Sequence, residues 1–391
     1  MNSAAIKKPY VAIACGGTGG HLFPGLAVAG ELKRRGCDVA VLISPKDVDQ
    51  QAVKTVTGVE IYTLPAVGLQ NGNYLPFIAS FAQSLFVAWN LFLRRRPDAV
   101  LAMGGFTSAP PVLAAKDSAV KTFLHESNTI PGRSNRFLSR FVDAAFIGFP
   151  EAAAGLLTKN TVVTGTPVRA RFSPELRVQN FEASSRKLLG LDPGLPTVLV
   201  VGGSQGARGL NDLILSALPL FTEKNWQWLH LTGVKDFEIV RSAYARLGLN
   251  AVVKPFLAEM DLALGAATAC VSRAGASSLA EIAAIRFPSA LVPLPTAADN
   301  HQFFNAAAFE KTGAAKLLDQ KNSSPEKVAV FLTELVTDES SRTRIQNALA
   351  QWHAPNAPVE IADHILAAIK QGVRPEAKPP IGAEMKLKAV A

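Results

Sequence analysis

Cysteine is nearly absent: Cys15, Cys37 and Cys270 are the three in 391 residues, far apart and odd in number. They form no CxxC pair, which excludes a disulfide framework and a cysteine zinc site and favours a reducing compartment. No signal peptide is expected, because an apolar strand begins at Tyr10 with no h-region or cleavage site before it. The GxGxxG dinucleotide fingerprint does not occur. No acidic pair at metal-ligand spacing stands out, so neither a metal nor a cofactor is expected. Charged residues are few, 18% against 48% hydrophobic, the balance of a globular chain. The net charge is nonetheless +9, and residues 1–169 carry most of it with 17 Lys/Arg against 10 Asp/Glu. With no nucleic-acid motif and no aromatic–basic interleaving, nucleic acid is not an expected partner. A phosphorylated substrate or an anionic membrane surface is.

Glycine is plentiful, and it falls in telling places. Tyr10 to Ala14 reads as a buried strand, and Cys15-Gly16-Gly17-Thr18-Gly19-Gly20-His21 as the turn after it. Ala27 to Arg35 then reads as a helix. Such a turn brings backbone N–H groups and a helix N-terminus up to a phosphate or sugar. Halfway along, the unit repeats: strand Pro196 to Val201, turn Gly202-Gly203-Ser204-Gln205-Gly206, then a helix reaching about Leu220. Short apolar strands alternate with helices on both sides of residue 170, which calls for parallel α/β sheets. At this length two domains are expected. The reading is therefore two Rossmann-like domains facing across a cleft, residues 1–169 and 170–357. Phe256 to Asp261 reads as a loop, helices are expected near 325–349 and 358–370, and residues 371–391 as a disordered basic tail.

Leu75 to Leu93 is nineteen residues without a charge, followed by Arg94-Arg95-Arg96. That length reaches the threshold for a membrane span, but Ser80, Gln83, Ser84 and Asn90 interrupt it and Pro76 sits at its start. A buried helix with one lipid-facing edge and a plain core helix are the other readings, and an interfacial helix near basic residues would fit a membrane-surface enzyme.

The segments GGTGGHLFPGLAVA (16–29), MGGFTSAP (103–110), HESNTIPGRSNR (125–136), GTPVR (165–169), VGGSQGARGLN (201–211), SRAGASSLAEIAA (272–284) and DNHQFFNA (299–306) stand in one order. Together they resemble the MurG family, bacterial undecaprenyldiphospho-muramoylpentapeptide β-N-acetylglucosaminyltransferases of glycosyltransferase family 28. The resemblance spans roughly residues 11–370. It implies a GT-B fold and a peripheral enzyme on the cytoplasmic side of the inner membrane, with helix 358–370 packing back on the N-terminal domain. It implies inverting transfer of GlcNAc from UDP-GlcNAc to the 4-OH of MurNAc in lipid I, giving lipid II for peptidoglycan. Other cell-wall synthesis and division proteins are implied as partners. Another GT-B transferase with a lipid or small-molecule acceptor, or a noncatalytic nucleotide-sugar or lipid-binding module, are the competing readings.

On that resemblance Ser204, Gln205 and Gly206 hold the donor diphosphate, Glu281 accepts the ribose hydroxyls, and Arg273, His301 and Gln302 reach the nucleotide sugar. Asn128 lies near the GlcNAc, and Arg169 reaches a pyrophosphate with its fork of donors. Thr18, Gly19 and Gly20 face the acceptor diphosphate or the sugar. An inverting transfer needs a group to take the acceptor proton, and His21 is the first candidate, with Glu126 the alternative. Each has a plain structural counterpart: a turn-supporting histidine at His21, a helix-dipole partner at Glu281, an interdomain salt bridge at Arg169. Ser127, Thr166 and His301 depart from the family's usual HEQN, GNPVR and paired-glutamine forms.

Overall fold

The computed structural model describes residues 8–54, 56–68, 74–118, 120–172, 179–203 and 206–372. Two parallel sheets organise them. The first holds β1 (Tyr10–Ala14), β2 (Asp38–Ile43), β3 (Glu60–Thr63), β4 (Ala99–Ala102), β5 (Lys121–Glu126), β6 (Ala144–Ile147) and β7 (Thr161–Val163). Their spatial order is β3-β2-β1-β4-β5-β6-β7. The second holds β8 (Thr197–Val201), β9 (Gln227–Leu231), β10 (Ala251–Lys254), β11 (Ala269–Ser272), β12 (Ser289–Leu291) and β13 (Lys316–Leu317), ordered β10-β9-β8-β11-β12-β13.

Helices α1 (Gly19–Arg34), α2 (Asp47–Val53), α3 (Tyr74–Arg94), α4 (Ala109–Asp117) and α5 (Arg133–Leu138) belong with the first sheet. With the second come α6 (Gln179–Leu189), α7 (Arg208–Ala217), α8 (Phe237–Arg246), α9 (Met260–Ala266) and α10 (Ala276–Ala284). They are followed by α11 (His301–Lys311), α12 (Pro325–Thr337), α13 (Glu339–Ala350) and α14 (Ala357–Gly372).

The period-two alternation of β1 shows why both faces of the first sheet must be covered. Tyr10, Ala12 and Ala14 join a core with Ala88 and Phe92 of α3 and Val112 of α4. Val11 and Ile13 point the other way, into a core with Leu22, Val28 and Leu32 of α1. Ile361, Ala362 and Ile365 of α14 complete that second core, so the last described helix covers the first sheet. A strand buried on both faces reads as a continuous apolar run, as YVAIA does.

Three expectations need correction. α1 starts at Gly19, eight residues before the expected Ala27, so Gly19, Gly20 and His21 are its first turn and not a loop. Two glycines and Pro24 hid the helix, because all three disfavour helix interiors. Packing of Leu22, Val28 and Leu32 into the core overrides that preference. The expected loop from Phe256 ends at Glu259, so Met260 and Asp261 open α9 instead; Gly265 lets α9 press against α6, since a Cβ there would lie 2.4 Å from the Phe181 ring. The stretch 325–349 is two helices, broken at Asp338, whose carboxylate accepts from the Ser341 N–H. Residues 1–7, residues 69–73 and the expected tail from residue 373 lie outside the described residues.

Candidate active site

Each sheet changes its direction of growth once, beside β1 and beside β8, and the crevice beyond the strand ends at such a point is where open α/β sheets bind ligands. The two crevices open into one cavity of about 1700 Å³ between the sheets. Helices α1, α7 and α10 all begin on its wall, and their N-cap residues Thr18, Ala207 and Gly275 make no side-chain cap. The N–H groups of Gly19 and Gly20, of Arg208 and Gly209, and of Ala276 and Ser277 precede the first helical acceptor, and such helix ends suit an anion. Pro24, lacking an N–H, also leaves the Gly20 carbonyl without its helical partner.

The loop after β1 is held from below. The buried Asp49 carboxylate accepts from the Gly17 N–H at 2.6 Å, the Ser44 N–H at 3.1 Å and the Ser44 hydroxyl at 2.5 Å. The Thr107 hydroxyl donates to the Gly16 carbonyl at 2.7 Å, tying this loop to the one after β4. Gly16 admits no side chain, since a Cβ would stand 2.3 Å from the Ser44 nitrogen. The half-buried His21 ring lies against Gly104 and Gly105, both at positive φ. Burial lowers the imidazole pKa below its ordinary value, the Glu126 carboxylate opposes that, and a charge on nearby His301 would lower it further.

Glu126 ends β5 almost fully buried. One carboxylate oxygen accepts from the Asn128 N–H at 2.8 Å and the Asn128 amide at 2.9 Å. The other accepts from the Gly132 N–H at 2.9 Å and the Asn135 amide at 2.9 Å. Four N–H groups therefore converge on one carboxylate and shape the 127–135 loop around it.

In the other half, Gly206 has φ +76° and closes a turn onto Gly203 through a 3.0 Å hydrogen bond. Arg169 donates to Glu281 at 3.1 Å across the cleft, its guanidinium 3.9 Å from the centre of the Phe23 ring. Burial raises the Glu281 pKa and lowers that of Arg169, and in each case the partner opposes the shift. Arg273 donates to the Val292 and Pro293 carbonyls at 3.0 and 3.1 Å, and burial lowers it to about 10. The Gln302 carbonyl accepts from the Leu294 N–H at 3.0 Å, and a His301 ring nitrogen lies 2.7 Å from the Ala298 carbonyl.

Two family models match: the glycosyltransferase family 28 N-terminal domain over residues 11–147 and its C-terminal domain over residues 197–361. The chain belongs to glycosyltransferase family 28. It is 34% identical over 369 residues to the UDP-N-acetylglucosamine–N-acetylmuramyl-(pentapeptide) pyrophosphoryl-undecaprenol N-acetylglucosamine transferase of Anaeromyxobacter sp. (strain K), covering 92% of this chain and 93% of that one. The protein of the same name from Listeria welshimeri is 33% identical over 367 residues, covering 92% and 99%. The crystal structure of Acinetobacter baumannii MurG superposes with a TM-score of 0.70 at 27% identity, covering 92% of this chain and all of that one. The resemblance read from seven motifs thus holds along the chain, and the two parallel-sheet domains form the GT-B arrangement.

In this family 28 transferase Thr18, Gly19, Gly20, His21, Glu126, Asn128, Arg169, Gly206, Arg273, Glu281, His301 and Gln302 all line the one cavity. Ser204 and Gln205 lie outside the described residues. Asp49, Asn135 and Asn305 were not singled out from the sequence, although the last two stand inside quoted motifs. Their signal is a buried polar side chain whose partners are distant in sequence.

The packing of His21 on glycine gives a direct test. In Gly104→Ala a Cβ would stand 2.8 Å from the His21 ring, on a backbone at φ +103°. The left-handed alanine costs about 1–2 kcal/mol. Displacement of the imidazole should lower kcat about 10- to 100-fold, read by steady-state kinetics beside a thermal melt. A variant with unchanged kcat would show that the ring position is immaterial.

Proposed function

We propose that the chain transfers GlcNAc from UDP-GlcNAc to the 4-OH of MurNAc in undecaprenyl-pyrophosphoryl-MurNAc-pentapeptide (lipid I), forming the β-(1→4) linkage of lipid II. The observation that carries this is the single cavity in which a glycine-rich anion-binding end from each domain faces the other, with His21 on one wall and Glu281 opposite. On this reading the turn at Gly206 and the start of α7 receive the UDP diphosphate. There, fixed N–H dipoles stabilise the charge that grows on the leaving oxygen. Glu281 accepts the ribose hydroxyls once Arg169 swings from it toward a phosphate. Gln302 has its carbonyl engaged with Leu294 and offers its amide N–H to the sugar.

His21 is the base in this reading. Its lowered pKa keeps the imidazole neutral at physiological pH, so a nitrogen lone pair is available for the 4-OH proton as that oxygen attacks the anomeric carbon. The proton passes to His21, the C1–O bond forms on the face opposite the UDP, and UDP leaves with the bonding pair. Glu126, with both oxygens engaged, serves to position Asn128 rather than to take the proton.

The test is transfer of radiolabel from UDP-GlcNAc to a lipid I analogue by the purified full-length chain. A labelled disaccharide lipid is expected. No transfer, under conditions where a known family member is active, would overturn the function.

We also infer that α3 docks on an anionic membrane surface as a peripheral element on the cytoplasmic side. It is long and apolar enough to cross a bilayer, with a mean hydropathy of 1.4. Its inward face, however, is the small or polar one over most of its length: Ser80, Ser84 and Ala88 are buried, with Phe92 at the end. Leu75, Ile78, Ala82, Phe86, Trp89 and Leu93 are exposed at three- and four-residue spacing, the stripe of a helix that lies in an interface. Phe77, Ile78 and Phe81 of the same helix line the cavity, giving a lipid tail an apolar route from site to surface. Burying a Phe or Trp contributes about 1.5–3 kcal/mol. Phe86→Glu with Trp89→Glu should therefore weaken binding to anionic vesicles at least about 100-fold while UDP binding stays intact. Retention of the wild type in membranes after a carbonate wash would sink the peripheral reading.

A further inference from the structure

Asn305 lies on α11, in the second domain, with no solvent exposure. Its carbonyl oxygen accepts from the Thr129 N–H and the Thr129 hydroxyl, both at 2.9 Å. Its amide nitrogen donates to the Asn128 carbonyl oxygen at 3.0 Å and to the Ala274 carbonyl at 3.2 Å. Two donors and two acceptors use the whole capacity of the side chain, and three of the four partners belong to the first domain's loop. That loop is the one Glu126 organises, since Glu126 accepts both Asn128 N–H groups. A continuous polar chain thus runs Glu126, Asn128, Asn305, Ala274 and ends one residue before the α10 N-cap Gly275. At the rim, Arg136 and Arg133 pair with Asp299, just before α11. Asp299 and Asn300 hold left-handed backbones at φ +50° and +54°, a strained approach that side chains other than glycine rarely adopt.

We propose that Asn305 is a positioning residue for transfer: it locks the Asn128 amide to the donor half when the two domains close, and so fixes the acceptor loop against the bound sugar. This rests on the function stated above. A buried, fully paired amide at an interface is bistable, because opening the domains breaks its three cross-domain hydrogen bonds at once. Closure is then tied to one orientation of Asn128 and not to a range of them.

Asn305→Ala should lower kcat about 10- to 100-fold, the usual consequence of an ångström-scale misplacement, while calorimetric UDP affinity is unchanged. In an Asn128→Ala background the same substitution should have little further effect, because Asn305 acts through Asn128. Asn305→Asp supplies a second readout. Its carboxylate keeps both Thr129 bonds but turns an acceptor toward the Asn128 and Ala274 carbonyls. Protonation restores one donor, so the ratio of variant to wild-type kcat should rise as pH falls from about 8 toward about 5.5, a range reachable by a buried carboxyl. Additive losses in the double variant, or a ratio flat with pH, would overturn the proposal; if the aspartate variant fails to fold, the alanine cycle decides alone. Absence of transfer by the wild type would instead remove the function, so the two failures are distinguishable.

Discussion

His21→Ala should lower kcat for GlcNAc transfer by about 10²–10⁴-fold, the range expected when a general base is lost, and leave UDP affinity and folding nearly unchanged. The ring stands at the crevice beside β1 and packs on the Gly104–Gly105 backbone, where neither glycine has a side chain to compete for the space. Burial pushes its pKa below the ordinary 6.5, which favours the neutral form. The sign follows directly. Protonation removes the base, so kcat/KM of the wild type should fall on the acid side with a midpoint below 6.5, and remain flat from there to neutral pH. In His21→Ala that limb should vanish. A turn-supporting role predicts the opposite pattern: a lower melting temperature, a modest loss of kcat and an acid limb that persists. The two readings therefore separate on one protein with two measurements.

Much of this molecule is legible in its sequence wherever the determinant is local. Continuous apolar runs mark β1 and β8, and the glycines after them mark the crevices, because close backbone approach leaves no alternative residue. The first turn of α1 is not legible for a physical reason: Gly19, Gly20 and Pro24 each oppose a helix locally, and only burial of Leu22 and Val28 against the sheet reverses the balance. Glu126 is visible as a carboxylate at a strand end, but its engagement by four N–H groups depends on how Pro131-Gly132 folds the loop back. Arg169 and Glu281 are 112 residues apart, and Asn305 is 177 from Asn128; no spacing rule in a single chain reports such pairs. The inverted face of α3 is the intermediate case. Hydropathy gives its length, whereas the choice of Ser80, Ser84 and Ala88 as the buried side becomes apparent only once α4 is packed beside it.

Glu126→Ala should cost both activity and stability, in contrast with His21→Ala. Removing the carboxylate strands the Asn128 N–H and amide, the Gly132 N–H and the Asn135 amide in a nearly dry site. Each buried donor left unsatisfied costs about 1–3 kcal/mol, four of them are stranded, and the melting temperature should fall accordingly. Glu126→Gln refines the test. Its carbonyl still accepts from Asn128, but its amide turns N–H groups toward those of Gly132 and Asn135, leaving two donors facing donors at about 1–3 kcal/mol each. Its melting temperature should lie between those of wild type and Glu126→Ala, and its kcat should follow the order of the loop. If Glu126 were instead the base, Glu126→Gln would melt like the wild type and transfer nothing, while His21→Ala would keep most of its activity. Because both carboxylate oxygens already accept two N–H groups, a substrate proton would reach Glu126 only by displacing one of them. His21 has no such network to dismantle, so the proton should go to the imidazole while the carboxylate keeps the loop in place.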